Sequence, residues 1–505
     1  MSDNSSSYRQ ILRSSSIIGG ASVINIVLGI ARMKAAAIFL GPSGVGLIGL
    51  LTNLTGVATA LAGMGVGNVG VRQIAEADGK NDEAAIAQAR RALFWATLFL
   101  AVLGAGAFWL LREVLADKVL HDPGLSSDVG WLALAVGLAI ASASQNALLN
   151  GLRRIGDLSR VSVYSGVVSA VVGVAVLAAW GGAGLLAFIL VAPLASFILG
   201  HWYVSRLPKV AAVNVPISEL SSQWQILVKL GFAFMLSGLV MMLGQLLVRS
   251  MIQKDLGQDA LGHFQAAWAV SMTYIGFVLS AMGADYYPRL TAAMSDHSAV
   301  NRLVNEQTEV ALLLAGPIFI AMMALAPWVI NLLYSREFQP ATEVLHWQIL
   351  GDILKVASWP LSFIILAAGD GKTFVISESI GIGVFVFLTW LTLPWLGLEA
   401  SGISFLGLYV VYLPVVFWLG KRRTGFFWNS SVAKQIALLF IVASLVMGLA
   451  RYSQTLAAGL GLLLSAAFGV YGFSRLAHKT ELSGSMGKWA FYAQTIMKRI
   501  GVWHD

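Results

Sequence analysis

Asp352 and Lys355 stand three residues apart in an otherwise apolar stretch, WQILGDILKVASWPLSFIILAAG, running from Trp347 to Gly369. An ionised side chain at the centre of a lipid-spanning helix costs roughly 2.5–3.5 kcal/mol on insertion scales, so such residues face a protein interior or a wet cavity. Gln348, Asp352, Lys355, Trp359 and Ser362 follow one another at intervals of 4, 3, 4 and 3, which makes one polar face on a helix. Two chemistries fit an acid and a lysine there. They can pair and brace the helix, or they can take a direct part in moving a charged solute. Glu378 and Asp352 are the clearest acids inside apolar stretches, and so the candidates for holding a coupling proton or sodium ion.

A second constellation is cationic. Ser22, Asn25, Gly29 and Arg32 are spaced 3, 4 and 3, and Gly238, Met242, Gln245 and Arg249 end another apolar stretch in the same way. Lys34 adds a further cation beside Arg32. Arginine presents a planar fork of donors that matches phosphate oxygens. Arg32 and Arg249 are expected to face a central cavity, because the pair recurs in both halves. They could instead snorkel outward, since Arg32 lies about 12 Å of helix from the turn at Gly41. Gln145, Asn150, Gln265 and Trp359 can hydrogen-bond to or stack on a polar solute, although Asn and Gln also join helices to each other. His201, His263 and His346 have no metal-ligand spacing, and no GxxxxGK[ST] nucleotide loop occurs. No cofactor, metal or catalytic residue is expected, and the protein reads as a non-enzyme.

The elements that must position these residues are membrane helices. Of 505 residues, 57% are hydrophobic and 11% charged, less than half the charged share of about 25% in soluble domains. There is no cysteine, which excludes disulfides and thiolate metal sites. Runs near 20 apolar residues predict fourteen spans: 17–40, 44–71, 92–111, 129–149, 161–180, 184–204, 226–248, 261–287, 310–333, 346–368, 374–396, 400–419, 435–450 and 455–474. The polar N-terminus has the look of a cytoplasmic end and not of a cleaved signal peptide. Cations such as Arg90, Arg91, Arg153, Arg154, Arg422 and Arg423 crowd alternate connections, against few on the other side, such as Arg112 and Lys118. That bias puts both termini in the cytoplasm. The net charge of +8 is scattered among these connections, which argues against nucleic-acid binding.

The chain also repeats itself. LG-x4-G occurs at Leu40, Gly41 and Gly46 and again at Leu256, Gly257 and Gly262. Met64, Gly65 and Arg72 recur as Met282, Gly283 and Arg289, and Arg32 recurs as Arg249, at nearly constant offset. Six spans in each half, an even number, give a parallel repeat related by an axis along the membrane normal, with solute binding expected between the repeats. The expected organisation is a six-helix lobe at 1–207, a cytoplasmic linker at 208–224, a second six-helix lobe at 225–423, two extra helices at 424–480 and a basic amphipathic tail at 481–505. Trp489, Tyr492, Ile496, Ile500 and Trp503 would make the apolar face of that tail, lying in the headgroup plane. Pro193, Pro317, Pro327, Pro360, Pro394 and Pro414 fall inside spans, as ordinary membrane prolines or as bending points.

FLGPSGVGLIGL (Phe39–Leu50), WQILGDILKV (Trp347–Val356) and YYPRLTAAMSD (Tyr286–Asp296) resemble motifs of one family. The chain is similar, over about residues 10–423, to the Wzx-type O-antigen and lipid III translocases. These are flippases of the multidrug/oligosaccharidyl-lipid/polysaccharide exporter superfamily. The resemblance implies an all-α polytopic, MATE-like fold of two six-helix lobes. It also implies an oligosaccharide on undecaprenyl pyrophosphate as substrate, moved from the cytoplasmic to the periplasmic leaflet of a bacterial inner membrane by alternating access. Arg32 and Arg249 would then meet the pyrophosphate, Gln145, Asn150, Gln265 and Trp359 the sugars, and Asp352 and Lys355 would line or brace the wet cavity, with Lys34 a further substrate-binding cation. Polysaccharide polymerase machinery is an implied partner. Many members stop after twelve spans, so the two further helices and the tail depart from the pattern. A multidrug or cation antiporter of the same superfamily is the alternative reading; a polymerase or ligase of lipid-linked sugars would need a large outer loop.

Overall fold

A computed structural model describes the backbone of residues 3–79, 83–208 and 217–479, and the side chains of residues 17, 19–79, 83–208, 238–279 and 286–476. In chain order the helices are α1 (Asp3–Gly63), α2 (Val66–Gly79), α3 (Glu83–Leu110), α4 (Arg112–Lys118), α5 (Ser126–Trp131), α6 (Ala133–Gly151), α7 (Ile155–Trp180), α8 (Leu185–Ser205), α9 (Ile217–Ala292), α10 (His297–Leu333), α11 (Ala341–Ala367), α12 (Gly371–Leu396), α13 (Glu399–Thr424), α14 (Ser430–Tyr452) and α15 (Gln454–Lys479). No strand occurs among the described residues. Ten helical stretches there are long and apolar enough to cross a bilayer. Two of them, 19–63 and 155–205, hold two runs each, the first broken at Gly41 and the second being α7 and α8 around a 3-10 turn. α9 carries the expected spans 226–248 and 261–287 on either side of a break at Gly257. The chain is a multi-pass, all-α membrane protein.

One span ends earlier than hydropathy suggests. The expected 44–71 stops at Gly63, because Met64 (φ 45) and Gly65 (φ 66) turn the chain before α2 starts at Val66. Apolar residues continue across this turn, so hydropathy alone runs through it. The matched Met282 and Gly283 stay inside α9. The other matched feature holds in both halves. Gly41 (φ 64, ψ −167) and Gly257 (φ 88, ψ 178) break α1 and α9 at corresponding positions. Those angles are open essentially to glycine alone, so the two LG-x4-G segments build the same turn twice.

The described residues up to Gly262, with 333–335, form one packed unit, and the remainder form a second. In the first, α7 packs along α1 and α8, while α6 packs on α2, α3 and α8. The first run of α9 belongs to this unit, so the division falls beyond the expected linker at 208–224, whose 217–224 portion is the start of α9. The Ser250 hydroxyl donates to the Val119 carbonyl at 2.8 Å, and the Gln253 amide donates to the Leu120 carbonyl. A Cβ on Gly46 would stand 2.6 Å from the Gly262 backbone nitrogen and 2.7 Å from the Gln258 carbonyl oxygen. The absent side chain therefore lets two backbones touch at the repeated turns.

In the second unit α13 packs along α11 and α12, and α14 lies on α11 and α15. The two extra helices are fastened at both ends. Arg451 on α14 reaches Glu399 at 2.7 Å and Glu343 at 3.3 Å. Arg475 on α15 reaches Glu309 on α10 at 2.6 Å. Between these, Gly316 and Gly472 allow α10 and α15 to close on Phe468 and the Leu313 backbone, and Ser465 donates to the Pro317 carbonyl at 2.7 Å. The tail at 481–505 lies outside the described residues.

Candidate functional site

The polar face of α11 meets polar groups from three other helices of the second unit. Asp352 is fully buried. Its Oδ2 accepts from the Ser271 hydroxyl at 2.7 Å and the Tyr274 hydroxyl at 2.6 Å, both on α9. Its Oδ1 has no partner. Ser271 and Tyr274 are three residues apart, so one face of α9 presents both donors. The two hydroxyl donors occupy one carboxylate oxygen and leave the second open to a further ligand.

Lys355 does not form a direct ion pair with Asp352, contrary to one of the two arrangements their spacing allows. Its Nζ lies 3.5 Å from the Met272 sulfur and about 6 Å from the Phe405 and Tyr409 ring centroids on α13. The ammonium is thereby held by polarisable and π groups. It stays within electrostatic reach of two carboxylates, Asp352 and Glu378. Glu378 on α12 accepts a hydrogen bond from Tyr412, whose ring meets that of Tyr409 edge to face at 6.2 Å. The network thus runs from Asp352 past Lys355 and the two tyrosines to Glu378.

One helical turn above Asp352, Gln348 is fully buried with neither amide atom partnered. Ser404 on α13 is likewise buried with an unpartnered hydroxyl. Ser404 lies between Gly402, which packs on Val344 and Trp347, and Phe405, which packs on Gly351. That register brings it level with Gln348. Buried polar groups normally find a partner or a water. Gln348, Asp352 and Ser404 are thus three sources of free donors and acceptors in one polar region. With both acids and the lysine ionised, the network carries one net negative charge. A proton or a single monovalent cation would cancel it, and desolvated charge in a membrane strongly favours such cancellation. Among the described residues no group of three or more His, Asp or Glu forms a metal-ion cluster.

The remaining candidates are dispersed. Trp359 lies further along α11 and packs on Phe363 at 4.4 Å and Tyr286 at 5.9 Å between ring centroids. Gln265 is half-buried on α9. In the first unit Arg32 lies 4.0 Å over the Phe188 ring and donates to the Phe188 carbonyl, while its Nε has no partner. The stripe that leads to it faces α7, since Asn25 donates to the Ser162 hydroxyl at 2.8 Å. Arg249 is buried and donates to the backbone and side-chain oxygens of Gln245, one turn earlier, at 3.2 and 3.3 Å. The two arginines matched by the repeat thus have different surroundings. Lys34 donates to the Tyr334 carbonyl. Gln145 packs against Gly200 with an unpartnered, buried Oε1, and Asn150 is exposed near the end of α6. Sequence reasoning missed Ser271, Tyr274, Tyr409, Tyr412 and Ser404. The i, i+3 spacing of Ser271 and Tyr274 was the one available signal, and it is common.

Comparisons with known proteins agree with this architecture. A family profile described as "Polysaccharide biosynthesis protein" matches residues 36–343. A lipid III flippase of Escherichia coli (strain K12) is 23% identical over 420 residues, covering 80% of this chain and 97% of that protein. A lipid III flippase of Shigella flexneri matches with the same figures. Among solved structures, the lipid II flippase MurJ in an inward closed conformation superposes with a TM-score of 0.69 at 12% identity, over 91% of this chain and 99% of that one. An inward-facing multidrug resistance MATE transporter of the MOP superfamily gives 0.68 at 17% identity, over 81% and 96%. These likenesses establish the MATE-like fold that the family resemblance implied. With the profile spanning most of both halves, the chain belongs to the polysaccharide biosynthesis protein family.

Proposed function

We propose that this protein is a flippase for an undecaprenyl-pyrophosphate-linked oligosaccharide, carrying it by alternating access from the cytoplasmic to the periplasmic leaflet of a bacterial inner membrane. The observation that carries the reading is end-to-end similarity to lipid III flippases, with 97% of the relative covered. The distribution of lysine and arginine supports cytoplasmic termini. Arg32 and Arg249 are assigned to the pyrophosphate, because an anion leaving water needs compensating, fork-shaped donors. Asp352 and Glu378 are assigned to a coupling proton or sodium ion. Their network has one negative charge to cancel, and the open Oδ1 of Asp352 is a ready ligand atom.

The test is reconstitution of the full chain in vesicles containing a fluorescent lipid-linked oligosaccharide. A membrane-impermeant reagent then reports the exposed fraction over time. The expected result is protein-dependent exposure that slows in Arg32→Gln and Arg249→Gln. Efflux of cationic drugs without lipid movement would overturn the proposal in favour of an antiporter.

A further inference from the structure

The connection between α11 and α12 and the end of α13 enclose a cavity of about 360 Å³ lined by Ile365, Asp370, Thr373, Leu419, Arg422 and Arg423. It lies where three membrane helices end, at Ala367, Gly371 and Thr424, and so at headgroup depth. Lys372 and Lys421 are exposed beside it, giving four cations around one acid. That acid is already engaged. Asp370 accepts from the Thr373 amide at 3.1 Å and the Thr373 hydroxyl at 2.8 Å, capping α12, and Arg423 stands 3.9 Å away. Among the described residues Arg422 has no carboxylate partner; its guanidinium lies 5.6 Å from the centroid of the Trp418 ring. Lys421 lies 4.7 Å from that of Phe427. Trp418 and Phe427 are 55% and 58% exposed, as suits aromatic groups in the interfacial belt.

The region is held in shape from α10. Asn301 exchanges hydrogen bonds with Thr424, and Asn305 donates to the Phe427 carbonyl and accepts from the Asn429 amide at 2.7 Å. Excess positive charge in a fixed cavity, flanked by exposed rings at headgroup depth, fits one ligand chemistry: a phosphate with acyl chains beside it. We propose that Arg422 and Arg423 bind the phosphate of an anionic phospholipid in the adjoining leaflet. This site is independent of what the protein transports.

The experiment uses the purified full chain in mixed micelles of phosphatidylglycerol and phosphatidylcholine, with retained lipid measured by native mass spectrometry. Each cation near an anionic surface contributes on the order of 1 kcal/mol, or about fivefold. Arg422→Gln should therefore weaken phosphatidylglycerol retention about fivefold, and Arg422→Gln with Arg423→Gln about thirtyfold, leaving phosphatidylcholine unchanged. Replacing both with Lys should retain most of the binding. Millimolar inorganic phosphate should not displace the lipid. Equal retention by the double Gln variant, equal retention of phosphatidylcholine, or full displacement by inorganic phosphate would each overturn the proposal, the last by assigning the site to free phosphate. If the double variant does not fold, Arg422→Gln alone decides, because that side chain is exposed and packs only on the rim.

Discussion

Neutralising Asp352 and Lys355, singly and together, tests whether the buried network is balanced charge. Lys355→Gln leaves two carboxylates, Asp352 and Glu378, with no cation within the network. Asp352→Asn leaves Lys355 with Glu378, and its amide oxygen can still accept from Ser271 and Tyr274. The double variant has the net charge of the original. Side chains three apart on a helix have Cβ atoms about 5–6 Å apart, and with no direct ion pair a charge separation on the order of 8 Å serves for the magnitude. At an effective dielectric constant of about 20 their attraction is about 332/(20 × 8), or about 2 kcal/mol. Lys355→Gln should therefore cost about 2 kcal/mol of unfolding free energy, a factor of about thirty in the folded ratio. The double variant should recover about 1–2 kcal/mol relative to the summed single losses. Reversible unfolding of the full chain in mixed micelles supplies the four free energies, and vesicle flipping rates give a second cycle. Strict additivity, with a coupling below about 0.5 kcal/mol, would refute charge balance and leave Lys355 as a packing residue.

Gly46→Ala should destabilise the first unit by about 1–3 kcal/mol, because the new methyl would meet backbone atoms of Gly262 and Gln258 at 2.6 and 2.7 Å that cannot rotate away. Gly56→Ala in the same helix has open space around it and should leave the thermal midpoint nearly unchanged; equal midpoints for the two variants would remove the argument. Acid sensitivity is expected at the cap of α12. The backbone amide and hydroxyl of Thr373, with Arg423 and Lys372, hold the Asp370 carboxyl below the usual carboxylate range. A depressed folded value means that the stabilisation is complete above the unfolded value of about 3.9 and fades as pH falls through the folded one. Asp370→Asn keeps a cap without a titrating charge, so its thermal midpoint should fall less than that of the original below about pH 4; parallel acid profiles would show that the cap charge is immaterial.

The polar face of α11 was legible from spacing alone. Gln348, Asp352 and Lys355 repeat at helical intervals in an apolar background, and charge in lipid is rare enough to stand out. The other side of the network was not legible. Ser271, Tyr274 and Tyr412 are hydroxyls that membrane helices carry for many reasons, and they lie far from Asp352 in sequence. Nothing local says which helix face will oppose α11. The same limit applies to Arg32 and Arg249. The repeat makes them look equivalent, yet one lies across α8 on Phe188 while the other turns back onto Gln245 of its own helix.

Hydropathy alone marked the chain as a series of membrane helices, because removing backbone polar groups from water requires long continuous helices. Matched motifs at a nearly constant offset made the repeat legible, since Gly41 and Gly257 supply a backbone conformation that other residues resist. Only tertiary structure decided that Asp352 and Lys355 do not pair directly, that the first run of α9 packs with the first unit, and that α14 and α15 are clamped by Arg451 and Arg475. The reason is physical: helix formation is local, whereas the partner of a buried charge is chosen by which helix faces pack together.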